Sequence, residues 1–258
     1  CEKKYLFSKY NQGCKYGVSN AINWFFENEI EGIILEDDCL PHLDFFIFCK
    51  ELLEKYRTDD RIWSITGQNI QQGKIFGQNS YYFSKFSHCW GWATWKRCWV
   101  KYDRDITDWP NIKSKGILKN KLKNKREINF WENILDNIYH RNSPNTWDYQ
   151  WSLSAFLNDG FTIVPNKNLI QNIGFDEDST HTFGGDLNFF IKKEHEKRKS
   201  IFPTIHPDYF VTNKKADEIV DIFEYSGGNK ISKIFIIKKL KNMKIKLKKL
   251  IKKLKFIK

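Results

Sequence analysis

The feature that most constrains the fold of this chain is a short apolar run that ends in three consecutive carboxylates. The run Ile33-Ile34-Leu35 is typical of a buried strand, and residues 36–38, Glu-Asp-Asp, follow it directly. Like charges this close repel each other, and burying them is costly unless a cation compensates. Open α/β sheets bind their ligands beyond the carboxyl ends of the strands. The pattern therefore indicates a divalent cation at a strand end, with a phosphate-bearing ligand on it.

The order of elements around this run predicts an α/β fold. Apolar residues recur at helical spacing over 16–27 and again over 45–56, and Gly32 ends the first of these helices. Strands are expected at 33–36 and 62–66. Helices that alternate with strands in this way are typical of a mainly parallel, Rossmann-like sheet flanked by helices.

The rest of the chain predicts further elements from the same patterns. Residues 88–101 are expected to form a glycine-containing turn followed by a helix, and the Lys- and Asn-rich residues 111–126 an exposed connection. The polar, glycine-rich residues 174–186 are expected to form a mobile loop. Additional helices are predicted at 127–140 and 147–158, and additional strands at 81–83, 161–164 and 169–173.

The basic character of the chain belongs to its C-terminal tail. The formal net charge is +12, but residues 229–258 hold 13 lysines and no carboxylate, whereas residues 1–228 hold 30 basic and 31 acidic residues. The sequence therefore divides into an α/β domain over 1–228 and a basic tail over 229–258. A nucleic-acid-binding domain with a basic face is not expected, because the charge does not lie in the domain.

The tail carries an apolar stripe at helical spacing, and lysine fills most of its other positions. A coiled coil has the same spacing, but a coil flanked only by lysines would repel itself. A basic amphipathic helix on an anionic membrane surface explains both features, and a partly disordered basic tail is the alternative. The stripe consists of Ile236, Leu240, Met243, Leu247, Leu250, Leu254 and Ile257.

Cysteine usage and the lack of targeting patterns predict a cytoplasmic protein. The six cysteines form no CxxC pair and no metal-finger spacing, and no N-x-S/T sequon occurs. The sequence shows no signal-peptide pattern and no apolar run of transmembrane length. Together with the tail, these observations predict a peripheral protein on the inner face of a membrane.

The acidic triplet and the segments around it resemble nucleotide-sugar glycosyltransferases of the GT-A fold. The metal motif of these enzymes is written DxD or EDD, and residues 36–38 match the second form. The likeness covers much of 11–185 and points to the N-acetylglucosaminyltransferase I type and its bacterial relatives. It rests on the order of the matching segments more than on any one of them. These segments are Asn11-Gln12-Gly13-Cys14-Lys15, Ile62-Trp63-Ser64-Ile65-Thr66-Gly67, Trp90-Gly91-Trp92, Thr146-Trp147-Asp148-Tyr149-Gln150-Trp151 and Ser179-Thr180-His181.

The resemblance implies a metal-dependent, inverting transfer of a sugar from a nucleotide-sugar donor. Asp38 would bind Mn²⁺ or Mg²⁺ on the donor diphosphate, and Glu36 and Asp37 would face the donor sugar and ribose. Asp148 would be the general base that deprotonates the acceptor hydroxyl. The expected donor is a UDP-sugar, and the expected acceptor is a cell-surface glycan or a lipid-linked intermediate of polysaccharide biosynthesis.

Five further residues are expected on the donor side of this site. Lys15 would neutralise phosphate, although a solvated surface lysine is the alternative. Trp90 and Trp92 would form a wall, with Gly91 allowing a close approach of the backbone; core packing is the alternative for both tryptophans. His181 would reach the metal or the diphosphate from its loop.

The sequence leaves alternatives open for the role of Asp148 and for the function of the carboxylates. Asp148 could instead cap the first turn of a helix. The carboxylates could serve a metal-dependent phosphohydrolase, or the site could be degenerate in a non-catalytic membrane-associated protein. In this fold a strand–helix–strand unit holds the nucleotide base, and residues 4–7 are expected to lie near its end, so most of the uridine pocket is expected to lie outside the sequence.

Overall fold

A computed structural model of the protein describes residues 2–71, 73–122, 124–174 and 200–225. The described residues form seven strands, eight α-helices and a final π-helical turn at Asp221–Tyr225. The strands β1 to β7 are Glu31–Ile34, Cys39–Pro41, Ile62–Thr66, Tyr81–Ser84, Trp92–Trp95, Phe161–Pro165 and Ile170–Asn172. The helices α1 to α8 are Gly13–Asn28, Leu43–Lys55, Lys96–Trp99, Trp109–Ser114, Ile117–Lys121, Lys125–Arg141, Asp148–Leu157 and Lys214–Val220.

Five of these strands form a central mixed sheet in the order β1-β5-β3-β6-β4. Strands β1, β3 and β6 run in one direction, while β5 lies antiparallel between β1 and β3 and β4 lies antiparallel at the edge. The predicted α/β class is confirmed, with helices flanking the sheet. The pairing is more mixed than predicted, because β3 and β6 are the one parallel pair among the described strands. Strands β2 and β7 form a separate two-stranded sheet.

Most of the other predicted elements agree with the structure to within a few residues. Strand β3 has the predicted bounds, and β1 begins and ends two residues before the predicted 33–36. The predicted helices at 16–27, 45–56, 127–140 and 147–158 are confirmed as α1, α2, α6 and α7.

The helix predicted over 88–101 is wrong for its first half. Trp92–Trp95 forms strand β5, and only Lys96–Trp99 is helical. Tryptophans at 92, 95 and 99 follow helical spacing, which favoured a helix. However, β5 pairs with β1 on one side and β3 on the other, and all four of its residues are buried. A central strand covered on both faces shows no alternation of apolar and polar residues, so sequence periodicity does not reveal it.

The exposed connection predicted at 111–126 is also wrong, because helices α4 and α5 occupy much of it. Ile112, Leu118 and Leu122 are buried and belong to an apolar cluster that includes residues of α6 and α7. Most of the lysines between them stay at the surface. Three buried side chains among many lysines are too few to raise a helical pattern in the sequence.

Helix α7 lies between the two main apolar clusters of the protein. Trp151 and Ala155 join the cluster built on the central sheet, whereas Leu153 and Phe156 join the cluster that contains α4 to α6. Residues 150–156 are all buried. Because the helix is buried over this length, polar residues included, it cannot shift without disrupting both apolar clusters. Its N-terminus is therefore held in a defined place.

Two sequence predictions lie outside the described residues. These are the amphipathic helix at 229–258 and all but the first residue of the loop at 174–186. Among the helices that the structure describes, none has both the length and the apolar composition needed to span a bilayer. The domain division at 228/229 and the membrane-surface role of the tail stay predictions.

Candidate functional site

The sheet topology brings two distant acidic segments to one edge. Strands β1, β3 and β6 share a direction, so their carboxyl ends lie at the same edge, and residues 36–38 follow β1 there. Strand β5 runs the opposite way, which places the residue before it, Gly91, at this edge as well. Helix α7 returns the chain to the start of β6, so its first residue, Asp148, also lies at the carboxyl edge. This is the edge at which open α/β sheets bind ligands.

Glu36 is half-buried and contacts the start of α7. The indole N–H of Trp147 donates a hydrogen bond to its carboxylate. Burial raises the pKa of Glu36 to about 7, and the charges of Asp38, Asp148 and Asp37 contribute in that order. Since the charge of Asp148 acts on Glu36, the two carboxylates lie close together in space although they are far apart in the sequence.

Asp38 is held by the end of strand β7. Asn172 Nδ2 donates to Asp38 Oδ2 at 3.0 Å, and the Ile173 N–H donates to the Asp38 carbonyl at 2.8 Å. Asn172 is buried, and its own Oδ1 accepts the Gly174 N–H at 2.7 Å. A Cβ on Gly174 would lie 2.7 Å from Asp38 Oδ2. The carboxylate is therefore oriented by β7 before any ligand binds. Asp37, between the two, is exposed.

Asp148 is the first helical residue of α7, one position inside the cap. The N-cap residue is Trp147, which has no side-chain capping hydrogen bond. The Thr146 hydroxyl donates a short hydrogen bond to Asp148 Oδ1. The N-terminus of a helix carries a partial positive charge, which favours the ionised form of a carboxyl group there. Asp148 thus has the position and the environment of an oriented proton acceptor.

Three free thiols surround these carboxylates. Cys39 Sγ donates to Asp38 Oδ1 at 3.4 Å, and Cys14 and Cys89 lie close enough to the acidic groups for their charges to act on them. Burial, and then the neighbouring carboxylates, raises the pKa of Cys14 to about 11 and that of Cys39 to about 12. These thiols therefore stay protonated at neutral pH and add no further negative charge to the site.

Lys15, predicted to neutralise phosphate, is buried and already has partners. Its Nζ forms an ion pair with Asp105 Oδ1 at 3.0 Å and donates to Asn142 Oδ1 at 2.9 Å. Its backbone N–H donates to Asn145 Oδ1 at 3.2 Å. These contacts tie α1 to the loop that leads into α7. Binding of phosphate by Lys15 would require its ammonium group to leave both partners.

The two tryptophans predicted to form a wall lie in different places. Trp92 is 1% exposed and stacks on Trp147, with ring centroids 5.4 Å apart. It packs beneath the site and supports Trp147, which binds Glu36. This is the core-packing role that was the alternative to a wall. Trp90 is only partly buried, and its backbone N–H donates to Gln68 Oε1 at 3.4 Å. His181 lies outside the described residues.

Gly91 is required by packing at this edge. Its φ is +58°, and a Cβ there would overlap the Ile170 side chain and lie 3.3 Å from Leu35. Gly77 shares the positive φ, at +75°, but has open space around it.

We expect Gly91→Ala to lower the free energy of unfolding by about 1–3 kcal/mol more than Gly77→Ala, because both replacements strain the backbone and only the first adds overlap. Urea-induced unfolding of both variants measures the difference, and equal losses would contradict the packing requirement.

The acidic triplet fits a divalent cation held jointly with a ligand. Among the described residues, no Lys, Arg or His side chain forms an ion pair with Glu36, Asp37 or Asp38. The described part of the chain also contains no group of three His, Cys, Asp or Glu side chains that could hold a metal ion by themselves. Asp38, fixed by Asn172, would therefore supply one oxygen ligand, and the oxygen atoms of a bound diphosphate would supply others.

Thr146 and Asn172 hold the site but had no role in the sequence analysis. Thr146 lies in a segment that carries the resemblance, and a hydroxyl two residues before Asp148 could have suggested a local hydrogen bond. Nothing in the sequence pairs Asn172 with Asp38. No protein-family model and no curated protein sequence matches this chain.

Proposed function

We propose that this protein is a metal-dependent, inverting glycosyltransferase of GT-A type. It would transfer a sugar from a nucleotide-sugar donor, such as a UDP-sugar, to a hydroxyl group of a glycan or lipid-linked acceptor. The observation that carries the proposal is the convergence of Glu36 and Asp38 with Asp148 at the ligand-binding edge of the sheet. The order of the segments that resemble this enzyme class supports it as well.

The two acidic segments would have different roles in the reaction. Asp148 would accept the proton of the acceptor hydroxyl, with the Thr146 hydroxyl fixing its orientation and the α7 N-terminus keeping it ionised. The acceptor oxygen would form a bond to the anomeric carbon as the bond from that carbon to the diphosphate breaks. A single direct displacement inverts the anomeric configuration and needs no protein nucleophile.

The donor side of the reaction would depend on the acidic triplet. Asp38, oriented by Asn172, would hold Mn²⁺ or Mg²⁺ against the donor diphosphate. When bound, such a cation offsets the negative charge that develops on the leaving diphosphate. Glu36, which lies near Asp38 and Asp148, would accept hydrogen bonds from the hydroxyl groups of the donor.

The test of this function is a donor screen with the full chain in the presence of Mn²⁺. We expect one class of nucleotide sugar to release its nucleoside diphosphate, with the sugar appearing on an added acceptor in the opposite anomeric configuration. Release of inorganic phosphate from simple phosphate esters without any sugar transfer would instead indicate a phosphohydrolase. If the intact protein, including the nucleotide-base unit expected outside this sequence, bound no nucleotide sugar with Mn²⁺, an enzymatic role would be contradicted.

The basic tail supports a second part of the proposal, namely attachment to the inner face of a membrane. Its lysines and apolar stripe suit an anionic lipid surface, where a lipid-linked acceptor would be found. Co-sedimentation of the full chain with vesicles tests this part. We expect binding to vesicles that contain anionic lipid and little binding to neutral vesicles, and equal binding to both would contradict an electrostatic attachment.

A further inference from the structure

A cavity lies at the opposite edge of the sheet from the acidic triplet. It has a volume of about 580 Å³ and is lined by residues at the end of α7 and the start of β6, including Phe156, Gly160 and Phe161. Helix α7 has 10 residues, so its two ends are about 15 Å apart. The cavity is therefore separate from the site that contains Asp148.

Three buried carboxylates line this cavity and share one ammonium group. Glu127, Asp217 and Asp221 are 2%, 7% and 7% exposed. Within the described parts of the chain, the one ion pair of these carboxylates joins Lys85 Nζ to Glu127 Oε1 at 2.6 Å. Asp217 instead accepts from the Ser84 hydroxyl at 2.6 Å. Buried carboxylates normally have a compensating charge for each, so this cluster is short of positive charge.

Asp221 gives independent evidence that a donor is missing. Its Oδ2 accepts from Asn124 Nδ2 at 2.7 Å, whereas its buried Oδ1 has no hydrogen-bond partner among the described residues. A buried acceptor without a donor carries a full desolvation penalty. A ligand that brings an N–H donor into the cavity would remove this penalty, and a positively charged donor would remove most of it.

The charges around the cavity indicate how many positive groups are missing. Its lining holds five carboxylates against three lysines. Lys85 pairs with Glu127, and Lys121 pairs with Asp159 at 2.7 Å. Three carboxylates then remain against one ammonium group, which is an excess of two negative charges.

We propose that this cavity binds a small organic dication with primary ammonium groups, with Asp221 and Asp217 as its main ligands. Its two ammonium groups would balance the excess of two negative charges, and one of them would donate a hydrogen bond to Asp221 Oδ1. The rings of Phe156 and Phe161 would contact an aliphatic chain between the ammonium groups. This inference does not depend on the proposed glycosyltransferase function.

Calorimetric titration of the full chain with 1,5-diaminopentane tests the inference. We expect saturable one-to-one binding of the diamine, weaker binding of 1-aminopentane and no binding of 1,5-pentanediol, which has the same length but no charge. Asp221→Asn should weaken diamine binding by about tenfold or more. Glu54→Gln, which removes an exposed carboxylate on α2 outside the cavity, should leave binding unchanged.

Two results would overturn the inference. One is diamine binding no tighter than that of the diol, and the other is equal diamine affinity in the wild type and Asp221→Asn. Should Asp221→Asn fail to fold, Asp217→Asn replaces it, because Asp217 is the other proposed ligand and also lines the cavity. An unchanged affinity in that variant, with Glu54→Gln as control, would contradict the inference in the same way.

Discussion

Asp148→Asn is expected to lower the rate of sugar transfer by about 10²–10⁴-fold, the usual contribution of a general base. Asparagine has nearly the same shape, and its side-chain oxygen can still accept the Thr146 hydroxyl hydrogen bond. The amide cannot take up the proton of the acceptor hydroxyl. The loss should therefore appear in kcat, with donor binding and the unfolding midpoint close to those of the wild type.

The control for this prediction is Asp60→Asn. Its side chain is 95% exposed, and its nearest cation, Arg97, is 3.9 Å away. This replacement removes one carboxylate without touching the site, so transfer should be unchanged. A kcat for Asp148→Asn within about twofold of the wild-type value would show that Asp148 is not the base.

Removal of the divalent cation is expected to have an effect of similar size. Chelation with EDTA should reduce transfer by about 10²–10⁴-fold, since charge stabilisation by a metal ion contributes several kcal/mol to the transition state. Addition of Mn²⁺ in excess over the chelator should restore the rate. Asp38→Asn should have the same effect as EDTA and should not be rescued by Mn²⁺, because the neutral amide oxygen binds a divalent cation more weakly than a carboxylate does.

A binding measurement separates this metal role from a structural role of Asp38. Titration of Mn²⁺ with a nucleoside diphosphate present, followed by electron paramagnetic resonance, should show a bound ion in the wild type and Asp60→Asn but not in Asp38→Asn. Full transfer in EDTA would contradict the proposed metal dependence. Normal Mn²⁺ binding by Asp38→Asn would contradict the assignment of Asp38 as the ligand.

The elements that sequence patterns predicted well are those with a clear boundary or period. Helix α6 has an apolar stripe at helical spacing, and β3 is a short apolar run closed by Gly67. Strand β5 was missed because its four residues are buried on both faces, so no alternation marks them. Its identity depends on hydrogen bonds to β1 and β3, which lie far from it in the sequence.

The candidate site likewise contains residues that the sequence predicted and residues that it did not. Three adjacent carboxylates after an apolar run indicate a cation site on chemical grounds alone. Asp148 was selected only through a resemblance, since a single aspartate near a helix start is common. Asn172 was not selected at all, although it holds Asp38 more directly than any other described side chain. Its role arises from the pairing of β7 with β2, which no local pattern predicts.

The sequence by itself determined the α/β class, the acidic triplet at the end of the first strand and the concentration of basic charge in residues 229–258. These follow from periodicity and from charges that are adjacent along the chain. Only the tertiary structure decided that Asp148 lies beside Glu36, that Lys15 pairs with Asp105 and that Trp92 belongs to the core. These depend on strand order and on the direction of α7, because proximity between distant residues is set by packing in three dimensions and leaves no local trace in the sequence.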